Sequence, residues 1–154
     1  MITDGGQQTA VFKDLVQLTN LTANMQADSM AFLILPVQAS CPACRNKTID
    51  SVVQHKDDLP DNHFIVISAN GGKKTINGYF LENNKSLPVI ENRLFLDSTN
   101  QAYLLKLYDK KPTIYYVSKG KAYKKVAAIP TTVKDDLREF FSGHRNEKQL
   151  ASSH

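Results

Sequence analysis

"VQASCPACRNKT", residues 37–48, holds both cysteines of the chain, two residues apart and directly after the apolar run "SMAFLILPV". An unbroken apolar run of that length reads as a strand covered on both faces, with no alternation because neither face meets water. Pro36 cannot donate to a strand ladder, so it falls where the strand is leaving the sheet. From Pro42 to Lys56, Ile49, Val52 and Val53 gather on one side while Asn46, Lys47, Asp50 and Gln54 lie elsewhere, which predicts a helix. Pro42 suits its first position, because a proline has no N–H to leave unbonded there and its ring presets the backbone. Cys41 therefore falls at the N-cap.

A thiol at that place has unusual chemistry. The unpaired N–H groups of the first turn and the positive end of the helix dipole favour the thiolate. Cysteines of Cys-X-X-Cys pairs so placed have pKa values of about 3.5 to 7.5 against an ordinary value of about 8.5. Arg45 and Lys47 add positive charge nearby. Cys41 is the expected nucleophile. Cys44, one turn inside the helix, is within reach of its sulfur and can resolve a mixed disulfide by intramolecular attack.

Working outward, the rest of the chain supplies a sheet for this unit. Apolar positions from Thr9 to Asp28, including Val11, Leu15, Leu18 and Met25, recur at a helical period. "DNHFIVISAN", residues 61–70, is a second buried strand stopped by its "NGG" continuation. "KKTINGYFLENN" is a short helix weakened by Gly78, and "RLFLDSTN" a strand running into a turn. "STNQAYLLKLYDKK" is expected to be helical, with Ser98 or Thr99 as its cap. "KPTIYYVSKGKAYKKVAAI" is a hairpin turning at Gly120, with Tyr115 and Tyr116 on opposite faces. "PTTVKDDLREFFSG" closes the domain as a helix stopped by Gly143, with Val133, Leu137, Phe140 and Phe141 inward.

Alternating strands and helices followed by a hairpin predict an α/β three-layer sandwich, with a central mixed sheet, a terminal β-hairpin and flanking helices. Residues 10–143 form the domain. Residues 1–9 read as a polar leader, as left where a signal or anchor has been removed, and 144–154 as a polar tail.

Composition removes several other functions. At 154 residues with 42% hydrophobic content, one core is the default. No apolar stretch approaches the roughly 18 residues that a membrane helix needs. The net charge is +4, but the lysines are scattered and lack the aromatic interleaving of a nucleic-acid platform. Two cysteines are too few for a disulfide scaffold.

Two other uses of the pair stand beside exchange. A metal site needs further ligands, and His55 and His63 could supply them only at C-x2-C-x10-H-x7-H, a spacing unlike the usual zinc patterns. Both histidines read instead as solvent-facing or loop residues. A thiol peroxidase would need a P-x-x-x-T-x-x-C pattern, and "PVQASCPAC" supplies Pro36 and Ser40 with the cysteines at other offsets. "NLT" at Asn20 and "NKT" at Asn46 match glycosylation sequons but fall in expected helices.

The order strand, "CPAC", helix and, much later, "KKPTIYYVSKGKAYKKV" resembles the thioredoxin superfamily over roughly residues 10–142. The strand-helix unit around residues 93–109 resembles its TlpA-type or redoxin branch, whose "D...A..Y...PT" is loosely matched by "DSTNQAYLLKLYDKKPT". The resemblance implies thiol-disulfide oxidoreductase activity, catalytic residues Cys41, Cys44 and Pro112, a cis bond before Pro112, and substrate contacts at Pro42, Lys111 and Thr113. It implies no cofactor and no resident metal. It also implies an extracytoplasmic monomer working on cysteine-containing proteins or peptides with an upstream redox partner. Ser40 stands where many relatives keep a tryptophan. Leu35 and Lys47 stand near the places of their proton-handling acids. A thioredoxin-fold module that binds or delivers a metal through the CPAC pair is the alternative.

Overall fold

The structure is a computed structural model and describes residues 2, 4–22 and 26–143. Its elements run α1 (Gly5–Thr19), β1 (Ser29–Pro36), α2 (Pro42–Gln54), β2 (His63–Ser68), α3 (Gly72–Glu82), β3 (Leu94–Asp97), α4 (Gln101–Leu104), β4 (Thr113–Ser118), β5 (Lys121–Ala127) and α5 (Val133–Ser142). The sheet order is β3-β2-β1-β4-β5. β1, β2 and β3 are parallel, and β4 and β5 add an antiparallel pair. The mixed sheet with flanking helices is the architecture expected from the alternation of elements.

β1 lies at the centre because it can afford to bury both faces. Ala31, Leu33, Leu35 and Val37 point into a core shared with α2, α3 and α5, while Met30, Phe32 and Ile34 point into a second core shared with α1 and α4. Removing each of these larger side chains from water contributes roughly 1.5 to 3 kcal/mol. Tyr115 and Tyr116 divide between the two cores, as their adjacency in a strand requires. The hairpin turns through Lys119 at φ 50 and Gly120 at φ 76, the pair of left-handed residues that a two-residue turn needs.

Several boundaries differ from the sequence expectation, each for a local reason. α1 begins at Gly5, within the stretch read as a leader, because the Asp4 carboxylate accepts the Gly6 N–H at 2.8 Å and caps it. It ends at Thr19 because Asn20 turns left-handed and the Leu21 N–H closes back on Val16. Asn20 is thus a helix cap, whereas Asn46 lies inside α2. Met25 and residues 144–154 lie outside the described residues.

The helix expected over 98–111 shrinks to one turn. Its cap is neither Ser98 nor Thr99: the Asp97 carboxylate accepts the N–H groups of Gln101 at 2.8 Å and Ala102 at 2.9 Å. Lys106 at φ 58 then reverses the chain, and Leu107 bonds back to Ala102. His63 is the other correction. It is buried, not solvent-facing, with its ring edge-on to Phe140 at 4.9 Å and Nδ1 bonded to the Asp61 carbonyl.

Candidate active site

The C-terminal ends of β1, β2 and β3 and the N-terminal end of β4 meet at one edge of the sheet, a consequence of the strand directions. β1 leaves this edge at Pro36 and turns before entering α2. Ser40 locks that turn: it is buried, and its hydroxyl donates to the Pro36 carbonyl at 2.7 Å. Gln38 ties the same turn to the next strand connection by accepting the Asn70 N–H at 2.7 Å. Leu35 is fully buried in the core, and Lys47 is exposed on α2.

Cys41 is the N-cap of α2 and is exposed, with Pro42 after it at the helix start. The backbone N–H groups of Cys44 and Ala43 are directed at its sulfur, although neither closes to a capping hydrogen bond. Together with the Cys44 thiol and the Arg45 charge, they pull the Cys41 pKa below its ordinary value. Cys44 is the opposite case. It is 1% exposed, and burial, with the neighbouring Cys41 adding to it, pushes its pKa up. Both are free thiols. The Thr48 hydroxyl donates to the Cys44 carbonyl at 2.7 Å, adding a second acceptance to the first turns of the helix.

This is an asymmetric dithiol: an exposed sulfur disposed to ionise and a buried sulfur disposed to keep its proton.

Pro112 enters from the side. Thr113 pairs with Ile34 across the β1-β4 ladder, so Pro112 lies beside the end of β1 from which the Cys41 turn departs. It is buried, and its carbonyl accepts the Ala128 N–H at 2.8 Å. The cis bond that the resemblance implies at this position is not there. The Lys111-Pro112 bond is trans, as are the other peptide bonds among the described residues. Lys110, at φ 56, makes the reversal into β4 in the residues before the proline. Thr113 is fully buried, and its hydroxyl donates to the Lys111 carbonyl at 2.9 Å, so its side chain serves the loop and offers no surface to a substrate. Lys111 is half-buried and Pro42 exposed.

The sequence reading missed the role of α3. The Arg45 guanidinium lies over the Tyr79 ring, 4.9 Å from its centroid. Asn83 donates from Nδ2 to the Asn46 carbonyl at 3.2 Å and to the Asp50 carboxylate at 2.5 Å. These contacts fix the reactive helix to its neighbour. Partners 33 to 37 residues apart leave no periodic signal in a single sequence.

Among the described residues no helix is long and apolar enough to cross a membrane.

A mixed five-stranded α/β sandwich with a Cys-X-X-Cys dithiol at the start of the first crossover helix is the class that this fold and site define. Among solved structures, the exposed lipoprotein thioredoxin of Streptococcus pneumoniae matches with a TM-score of 0.45 at 15% identity, over 76% of this chain and 88% of its own. A secreted disulfide oxidoreductase of Mycobacterium tuberculosis, homologous to E. coli DsbE, matches with a TM-score of 0.44 at 14% identity, over 76% and 85%. No family model and no curated protein matches the chain.

Proposed function

We propose that the protein is a thiol-disulfide oxidoreductase that exchanges the Cys41-Cys44 pair with cysteine-containing proteins or peptides. The observation that carries this reading is the asymmetry of the pair, with an exposed thiol of lowered pKa one turn from a buried thiol of raised pKa. A metal-holding pair would gain nothing from that difference, since both sulfurs must be deprotonated to bind.

In the reducing direction the Cys41 thiolate attacks one sulfur of the substrate disulfide. A Cys41-substrate bond forms, the substrate S–S bond breaks, and one substrate thiolate leaves. Cys44 then loses its proton and attacks Cys41 Sγ, forming the Cys41-Cys44 disulfide and releasing the second substrate thiolate. Two electrons pass to the substrate, and the two protons of the dithiol end on its thiols. The reverse sequence oxidises a substrate dithiol. Regeneration requires a second dithiol or disulfide partner, the upstream redox partner of this reading.

Pro42, exposed next to Cys41, and the half-buried Lys111 are the proposed substrate contacts, and the buried Pro112 backs them beside the end of β1 in the β1-β4 register. An extracytoplasmic location belongs to the same reading and rests on the resemblance of the motifs.

Turbidimetric insulin reduction with dithiothreitol tests the activity. The native chain accelerates precipitation, Cys41→Ser does not, and Cys44→Ser accumulates a mixed disulfide visible by non-reducing electrophoresis. Equal behaviour of the native chain and Cys41→Ser would sink the proposal.

A further inference from the structure

The positive charge nearest in sequence to Cys41, the smallest of the effects that favour its thiolate, sits on a side chain that another helix contacts. Arg45 lies four residues after Cys41, so it projects from the same side of α2 one turn further in. Its backbone N–H donates to the Cys41 carbonyl at 2.8 Å, which fixes the base of the side chain relative to the thiol. The other end is fixed by α3. The guanidinium carbon is 4.9 Å from the centroid of Tyr79, and Nε donates to Asn46 Oδ1 at 3.2 Å. The Asn46 carbonyl in turn accepts Asn83 of α3. Arg45 is half-buried, so its field is less screened than that of a free surface cation.

Charged side chains elsewhere on α2 and α3 and before β4 are not held in this way. Lys47 on α2, Lys73, Lys74 and Glu82 on α3 and Lys110 before β4 are exposed, and the Asp50 carboxylate is bonded to Asn83.

We propose that Tyr79 is a positioning residue for the dithiol: its ring holds the Arg45 guanidinium one turn below Cys41 and so sets how much thiolate the exposed cysteine presents. The proposal rests on Cys41 being the attacking thiol. It predicts that the useful property of Arg45 is its planar face as much as its charge. A lysine in its place keeps the charge but has no planar group to lie on the ring, and its flexible stem returns the ammonium to solvent.

The test is the pH profile of Cys41 alkylation by iodoacetamide in the intact chain, read peptide by peptide by mass spectrometry, in the native protein and in Arg45→Ala, Arg45→Lys, Tyr79→Leu, Tyr79→Phe and the double variant Arg45→Ala with Tyr79→Leu. Leucine keeps most of the apolar packing of Tyr79 without its aromatic face. At pH 6.5 and low salt, Arg45→Ala and Tyr79→Leu each lower the Cys41 rate about two- to threefold, the size expected of one partly screened charge. The double variant is no slower than Arg45→Ala, Arg45→Lys falls near Arg45→Ala, and Tyr79→Phe retains the native profile. In 1 M potassium chloride the differences shrink.

A Tyr79→Leu profile equal to the native one, a further shift when Tyr79→Leu is added to Arg45→Ala, or an Arg45→Lys profile equal to the native one would each overturn the proposal. Should Tyr79→Leu fail to fold, the Arg45→Lys and Tyr79→Phe profiles decide it. A native Cys41 that titrates no lower than Cys44 would instead bring down the functional reading beneath it, so the two failures are told apart.

Discussion

Cys44 is buried one turn inside the helix from the exposed Cys41, and the proximity of its thiol favours the ionised form of the exposed one. The same proximity makes Cys44 harder to ionise while Cys41 carries charge. The two thiols are therefore expected to react at different rates. At pH 6.5, iodoacetamide should modify Cys41 several-fold or more faster than Cys44, because the exposed thiol is both more ionised and more accessible. Peptide mapping after timed quenching measures both rates, and equal rates would remove Cys41 as the nucleophile.

Asp97 is buried, and its carboxylate accepts three bonds: the Ser68 hydroxyl at 2.8 Å and the N–H groups of Gln101 and Ala102. Asp97→Ala leaves the hydroxyl and two helix-start donors without partners. The expected loss is about 1 to 3 kcal/mol in urea denaturation, and Asp97→Asn, which keeps one acceptor oxygen, should lose less. An unchanged midpoint for Asp97→Ala would show that water replaces all three bonds.

Burial holds the His63 imidazole below its ordinary pKa. The folded-state value is depressed, so the unfolded chain takes up a proton first as the pH falls below about 6.5. The contribution of His63 is thus complete above that pH and is lost as the pH falls toward its folded-state value. The urea midpoint of the native chain should drop between pH 7.5 and pH 5.5, and the drop should be smaller in His63→Gln. Carboxylates raised by burial, such as Asp136 and Glu139, act with the opposite sign, so the comparison with His63→Gln is what isolates the histidine. Parallel curves for the two proteins would contradict the assignment.

Gly71 begins α3 at φ +95, and a Cβ there would meet the Thr75 hydroxyl at 2.5 Å. Gly71→Ala therefore faces both a left-handed backbone and a clash. A cost of roughly 1 to 3 kcal/mol is expected, and Thr75→Ala with Gly71→Ala, which removes the clashing hydroxyl, should recover only part of it, because the backbone strain remains. Thermal melts of the single and double variants check this.

Thr113→Val keeps the shape of a buried side chain but removes its bond to the Lys111 carbonyl. A loss of about 1 kcal/mol is expected. A denaturation midpoint equal to that of the native chain would show that the bond to Lys111 contributes nothing net.

The sheet was legible because its strands are strongly patterned. "MAFLILPV" has no polar residue to expose, which forces a central position, and "SKGK" contains the left-handed pair that a hairpin demands. Pro42 and Gly143 likewise marked a helix start and a helix end by local sterics alone. Where a residue with no local signal reversed the chain, or a distant ring covered a side chain, the reading failed. The segment after β3 has helical periodicity, yet it forms a single turn because Lys106 goes left-handed and Leu107 folds back on Ala102. His63 looked like a loop residue because nothing local to it announces Phe140, seventy-seven positions later, as its cover.

By itself the sequence determined which atoms can do chemistry: two sulfurs at the spacing of one helical turn, with a proline that starts the helix between them. Those are local properties of a few consecutive residues, governed by backbone geometry. Only the tertiary structure decided that one sulfur is exposed and the other buried, that Pro112 is a trans residue beside the end of β1, and that Tyr79 lies under Arg45. Desolvation and ring-to-cation contacts depend on what packs around a group, and that is set by chain segments far apart in sequence.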